Sequence, residues 1–184
     1  NYEPGTVKPV YVVSDAPRVE LLLNGEKIGR EKVDYHFLHT FDSIPYAPGT
    51  LTAVSYDEAG KKLSEHSVST AGAPAALRLS VETSPAGMMA DGADMALVQF
   101  EVVDAEGRRC PLDNREVTFT LDGPAEWRGG IAKGEGNRIL DTTLPVECGV
   151  NRALVRSLPE AGTIRLTAMA EGLPAQSVEW RTNP

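Results

Sequence analysis

The sequence is short of the residues from which enzyme sites are most often built: its 184 residues include 2 cysteines, 3 histidines and 6% aromatics. No serine sits in a Gly-x-Ser-x-Gly elbow, so a nucleophilic triad of the hydrolase type has no support. There is no Cys-x-x-Cys, and a zinc site on Cys110 and Cys148 would need partners that no nearby histidine supplies. Apolar runs such as Val10 to Val13 and Leu21 to Leu23 fall far short of the roughly 20 residues that cross a bilayer, so no segment reads as membrane-spanning. No window of eleven or more residues repeats apolar side chains at i, i+3, i+4 and i+7, which excludes long amphipathic helices. Basic residues are scarce too. With 18 against 26 acidic residues the formal net charge is −8, and no basic excess is left to neutralise nucleic-acid or membrane phosphates. The length is also too small for a (β/α)₈ barrel of about 250 residues. The chain opens Asn1-Tyr2-Glu3-Pro4-Gly5, without an initiator Met or the layout of a signal peptide, and reads as an excised or processed chain.

What is present is the strand period. Val19, Leu21 and Leu23 alternate with Arg18, Glu20 and Leu22 up to Asn24-Gly25, the pair best suited to the two positive φ angles of a type I′ hairpin turn. The chain is then predicted to return through Lys27 to Lys32, with a further strand over Tyr35 to Phe41. A second hairpin follows from Thr50 to Tyr56 and Lys62 to Ser69 around Asp57-Glu58-Ala59-Gly60. The small residues Thr70 to Ala76 mark a short linker. Beyond it the alternation sharpens in Leu77/Leu79/Val81, Val98/Phe100/Val102, Val117/Phe119/Leu121, Ile164/Leu166/Ala168 and Val178/Trp180. Short strands spaced by turn signals predict an all-β chain of two tandem immunoglobulin-like antiparallel β-sandwiches, 1–71 and 72–184. The first is small for a sandwich and gains from packing against a neighbour. The glycine-rich stretch Gly129 to Asn137 interrupts the second.

Candidate chemistry is thin. Cys110 precedes Pro111 in turn or strand-edge sequence, so Cys110 and Cys148 read as two separate thiols, with a disulfide as the alternative. His36 and His39 are three apart and on one strand would point to opposite faces, which makes them surface or edge histidines, as is His66. The carboxylates are scattered over turns (Asp57, Glu58, Asp104, Glu106) and over polar strand positions (Glu20, Glu82, Glu101), a solvated pattern without the facing pair that a glycosidase needs. Asp91-Gly92-Ala93-Asp94 lacks the Asp-x-Asp-x-Asp-Gly spacing of a calcium loop. Trp180, at strand spacing from Val178, reads as core. Trp127, beside a loop, is the candidate for stacking on a sugar ring. No catalytic residue, metal ligand or cofactor is expected.

Val19-Glu20-Leu21-Leu22-Leu23-Asn24-Gly25-Glu26-Lys27-Ile28-Gly29, Ile44-Pro45-Tyr46-Ala47-Pro48-Gly49-Thr50-Leu51-Thr52-Ala53-Val54-Ser55-Tyr56 and Thr70-Ala71-Gly72-Ala73-Pro74 resemble the C-terminal modules of Bacteroides-type family-two β-galactosidases. Ala90-Asp91-Gly92-Ala93-Asp94, Val102 to Gly107 and Ala161 to Ala168 resemble the bacterial, invasin-like immunoglobulin-like domain that follows. Phe41 departs from the Trp of that pattern, and Ile131 to Gly136 departs from its loop. The resemblance implies a non-catalytic accessory region of a retaining β-galactosidase whose catalytic glutamates lie on a separate barrel. The fragment itself would be no enzyme. Its partners would be the barrel and other domains of the parent chain, with a glycan as a further possibility, in the periplasm or at the cell surface. A carbohydrate-binding module and an adhesin-type spacer are the alternatives.

Overall fold

Two glycine-dependent turns set the first module. Asn24 and Gly25 both take positive φ, 52° and 87°, which closes the hairpin in the type I′ form. Gly60, at φ 81°, ends the Asp57 turn, where its N–H and that of Lys61 are held by Asp57 oxygens at 3.0 and 2.8 Å. In the computed structural model, which describes residues 1–131 and 136–184, the chain divides into units Asn1–Thr70 and Ala71–Pro184. This division falls one residue before the expected boundary, because Ala71 is buried in the second unit's core. Every regular element among the described residues is a strand.

The first unit comprises β1 (Val7–Val13), β2 (Arg18–Leu23), β3 (Glu26–Ile28), β4 (Glu31–Tyr35), β5 (Leu38–Pro45), β6 (Thr50–Tyr56) and β7 (Lys62–Ser69). They form two antiparallel sheets, β1-β5-β4 and β3-β2-β6-β7. Val19, Leu21, Phe41 and Ile44 fill the space between them, flanked by Val10, Val12, Ile28, Leu51 and Ala53. Two expectations are corrected here. The return strand stops at Ile28, because Gly29 at φ 65° turns the chain over to the opposite sheet, where a Cβ would meet Ile44 Cδ1 at 2.5 Å. The strand expected over Tyr35 to Phe41 is instead a hairpin, with His36 and Phe37 as its turn. At the far edge, all eight side chains of β7 are exposed. The strand is held by its backbone ladder and by hydroxyl pairs Thr50–Ser69, Thr52–Ser67 and Ser55–Ser64 at 2.7 to 2.8 Å.

The second unit comprises β8 (Ala76–Glu82), β9 (Met88–Met89), β10 (Met95–Val103), β11 (Glu116–Asp122), β12 (Ala125–Gly129), β13 (Thr143–Pro145), β14 (Val150–Ser157), β15 (Thr163–Ala170) and β16 (Gln176–Asn183). Its sheets are β12-β14-β10-β8 and β13-β11-β15-β16-β9, antiparallel apart from the parallel pair β16-β9. The predicted alternation holds in detail: Ala96, Val98, Phe100 and Val102 of β10 face Val117 and Phe119 of β11 and Ile164, Leu166 and Ala168 of β15 in one core. Two tandem all-β sandwiches are therefore the observed fold. Of the glycine-rich stretch, residues 132–135 lie outside the described residues.

Candidate functional site

Among the described residues, polar side chains gather in several places, of which three bear on chemistry. In the first unit an open cleft of about 250 Å³ is lined by Arg18, Glu20, Lys27, Arg30 and Glu31 over the ring of Phe41. Its carboxylates are committed. Glu20 takes the Lys27 ammonium at 2.8 Å, and that hydrogen bond holds its carboxyl below the usual range. Glu31 Oε1 accepts the Val19 N–H at 2.8 Å and lies 2.5 Å from His39 Nδ1. His39 Nε2 faces the Ser14 carbonyl oxygen at 3.2 Å. His39 is therefore a core residue, 1% exposed, where a surface or edge position was expected. It shares the inward face of β5 with Phe41, while His36 stands in the exposed turn. Phe41 is 1% exposed and packs in the core.

In the second unit a broader groove of about 570 Å³ runs over the outward face of β10 and β14. Here Glu101 pairs with Arg78 at 2.6 Å, Arg152 forks onto the Gln99 side-chain oxygen at 3.1 Å, and Asn151 donates to the Pro145 carbonyl at 2.7 Å. Beside it Glu126 is shared by Arg156 and Arg128, and their hydrogen bonds lower its carboxyl. These are charge-paired sheet faces: Glu101 and Glu126 are each neutralised by arginine and poorly placed to give up or take a proton.

The third place is a staple. Asp104 Oδ1 accepts the N–H groups of Glu106 and Arg108 at 3.0 and 2.8 Å, and Oδ2 accepts the Gly72 N–H at 2.8 Å and Arg108 Nε at 2.7 Å. Burial works against its charge, but the Gly72 and Arg108 amides and the Arg108 guanidinium outweigh it and bring the carboxyl down to about 2. Asp104 thus ties the start of the second unit to the β10–β11 turn. The adjoining Cys110 thiol is pushed up by burial and by the charges of Asp104 and Asp113.

The residues singled out in the sequence do not converge. Cys110 is buried and Cys148 exposed, and both are free thiols. Asp91 Oδ1 accepts the N–H groups of Ala93 and Asp94, each at 2.8 Å, and Asp94 accepts that of Met89 at 2.8 Å, so this turn directs its oxygens at its own backbone. No group of three or more metal-ligating side chains occurs among the described residues. Trp127 is half-buried, stacked on Phe119 with centroids 5.1 Å apart, and its Nε1–H donates to the Asp141 carbonyl at 2.9 Å. Trp180 packs against the core and points Nε1 at Met88 Sδ.

Residues 79–179 match the family described as glycoside hydrolase family 2 C-terminal domain 5, and residues 5–64 match a domain of unknown function, DUF4982. A β-glucuronidase of Formosa agariphila is 40% identical over all of this chain, which covers 19% of that protein. The β-galactosidase BoGH2A of Bacteroides ovatus is 31% identical over 94% of this chain, which covers 20% of it. Among solved structures, a β-glucuronidase from glycoside hydrolase family 2 superposes over the whole chain and 19% of its own, with TM-score 0.91 and 39% identity. A glycosyl hydrolase family 2 member from Bacteroides cellulosilyticus does so over 24% of its own chain, with TM-score 0.89 and 30% identity. The chain thus spans about a fifth of the length of the relatives it matches.

Proposed function

The chain belongs to the glycoside hydrolase family 2 C-terminal domain 5 family, and from that premise we propose that it is the non-catalytic accessory region of a larger retaining β-glycosidase. The observation that carries this reading is the commitment of the carboxylates. Among the described residues, Glu20, Glu31, Glu101, Asp104 and Glu126, the acids of the three polar clusters, are each engaged by a cation, an imidazole or backbone amides, which ties these five up against service as acid or nucleophile across a sugar. Hydrolysis then belongs to the remainder of the parent chain, acting on a terminal β-galactoside or β-glucuronide as the relatives' names indicate. The two sandwiches stabilise that enzyme or shape access to it, in the periplasm or at the cell surface. Against a carbohydrate-binding module speaks the engagement of Trp127, whose ring face and N–H are both taken up within the second unit.

The test is direct. Nitrophenyl β-galactoside and β-glucuronide are offered to the purified 184-residue chain and to the full-length parent. Turnover by the parent alone is expected; turnover by the 184-residue chain, surviving repurification from a host lacking its own glycosidases, overturns the proposal.

A further inference from the structure

The three-stranded sheet of the first unit has one face in the core and one in solvent, and the solvent face is unusually apolar. Register fixes which residues share it. Val13, Leu38 and Tyr35 are neighbours across β1, β5 and β4, and Tyr11, Thr40 and Lys32 form the next row, in which Thr40 is itself buried between exposed Tyr11 and Lys32. His39 and Phe41, on alternate positions of β5, point the other way into the core. A bulge between Val33 and Tyr35 brings Tyr35 into its row, and Phe37 continues the surface at the turn. Val13 is 78% exposed, Tyr35 73%, Tyr11 62% and Phe37 59%. The rings at the tip are ordered against one another: Tyr35 meets His36 edge-on at 5.2 Å, and His36 lies 6.1 Å from Phe37.

Isolated exposed apolar residues are ordinary, but a contiguous face of this kind marks an interaction surface. Among the described residues, the end at the β4–β5 turn is aromatic and aliphatic, with Val13, Tyr35, Leu38 and Phe37, while the next row sets Lys32 and Thr40 beside Tyr11, and the turn end has the make-up of the centre of a protein interface. A glycan fits poorly, because its hydroxyls would lie against Val13 and Leu38 without partners. We infer that the outward face of β1-β5-β4, around Tyr11, Val13, Tyr35 and Phe37, is the surface by which this region docks onto the rest of its own parent chain.

The occupant follows from chain length. In the relatives, most of the chain lies outside the matched fifth. A surface on the same polypeptide is present at an effective concentration on the order of millimolar, far above that of a second copy in solution. Rigid aromatic side chains also lose little conformational entropy on being covered. The inference rests on the accessory reading and adds to it the face that is used.

Val13→Cys and Tyr35→Cys are introduced separately into the full-length parent, and maleimide labelling of each new thiol is followed by peptide mass mapping, relative to the same thiol in urea. Labelling slowed at least tenfold, and unchanged on dilution to nanomolar protein, is the expected result. Rates close to those in urea leave the face open and overturn the inference. Protection lost on dilution identifies a second copy as the occupant, and protection that requires added glycan identifies a sugar; either overturns it. Glycosidase assays on the same samples separate the two ideas. An active parent with open thiols refutes this docking face alone, whereas a parent inactive on every glycoside refutes the accessory reading.

Discussion

His39 Nδ1 and Glu31 Oε1 stand 2.5 Å apart in the first unit, with the imidazole buried and the same carboxylate oxygen holding the Val19 N–H of the opposite sheet. One carboxylate therefore joins β4, β5 and β2, strands from both layers of a small core. Replacing it by Glu31→Ala leaves a buried ring nitrogen and a backbone N–H without a partner, at a cost of about 1–3 kcal/mol. The probe is built in: all five tyrosines lie in the first unit and both tryptophans in the second. Urea unfolding is expected to move to lower denaturant by tyrosine signal and to stay in place by tryptophan fluorescence.

Two glycines separate backbone strain from crowding. Gly25, at φ 87°, has nothing within 4 Å of a Cβ, so Gly25→Ala bears only the left-handed penalty of about 1–2 kcal/mol. Gly123, at φ 101°, would place a Cβ 2.3 Å from the Thr163 carbonyl oxygen, so Gly123→Ala must also shift the β15 backbone. The second substitution is expected to cost clearly more, and in the tryptophan transition only.

Asp104 should contribute to the acid limb of the second unit's stability, alongside Glu126, Asp91, Asp113 and Asp141, whose carboxyls are also lowered. The folded Asp104 carboxyl lies at about 2, below the unfolded value near 3.9, so its contribution is complete above about pH 4 and fades as the pH falls toward 2. Tryptophan-detected unfolding midpoints, measured from pH 5 to pH 2, are expected to fall through this window. Asp104→Asn should be less stable at neutral pH and show a shallower slope. An unchanged slope would remove Asp104 from the account.

The two thiols should differ sharply. Cys148 is exposed, whereas Cys110 is buried and its thiol is raised, which lowers the thiolate fraction at neutral pH. Native protein is expected to take up one equivalent of a thiol reagent quickly and the second at the rate of unfolding, with peptide mapping placing the first on Cys148.

The second sandwich was the more legible, because strands such as β10 and β15 are half-buried and their alternation is the direct imprint of one wet and one dry face. The first unit was harder to read for the same physical reason. With an apolar outward face on β1-β5-β4, Val7–Val13 shows no clean polar–apolar alternation, and its sequence carries no strand signature. The parity between His36 and His39 does not apply, because His36 stands in the turn and His39 alone lies on β5. Two residues before the core Phe41, it shares that face, and this spacing is the signal that could have identified it. Glu31 as its partner is a matter of tertiary register, eight residues away on another strand. Asp104 likewise appears in sequence as an ordinary turn acid, and only the fold brings Gly72, 32 residues distant, to its carboxylate.

The last strand of the first unit carries a different implication. Since every side chain of β7 faces solvent and the strand is held by its backbone ladder and three hydroxyl pairs, almost any extended, β-compatible sequence could occupy Lys62–Ser69 without disturbing the core. Natural variants should drift fastest along this strand. It is also the place where a short epitope or affinity handle could be written into the fold.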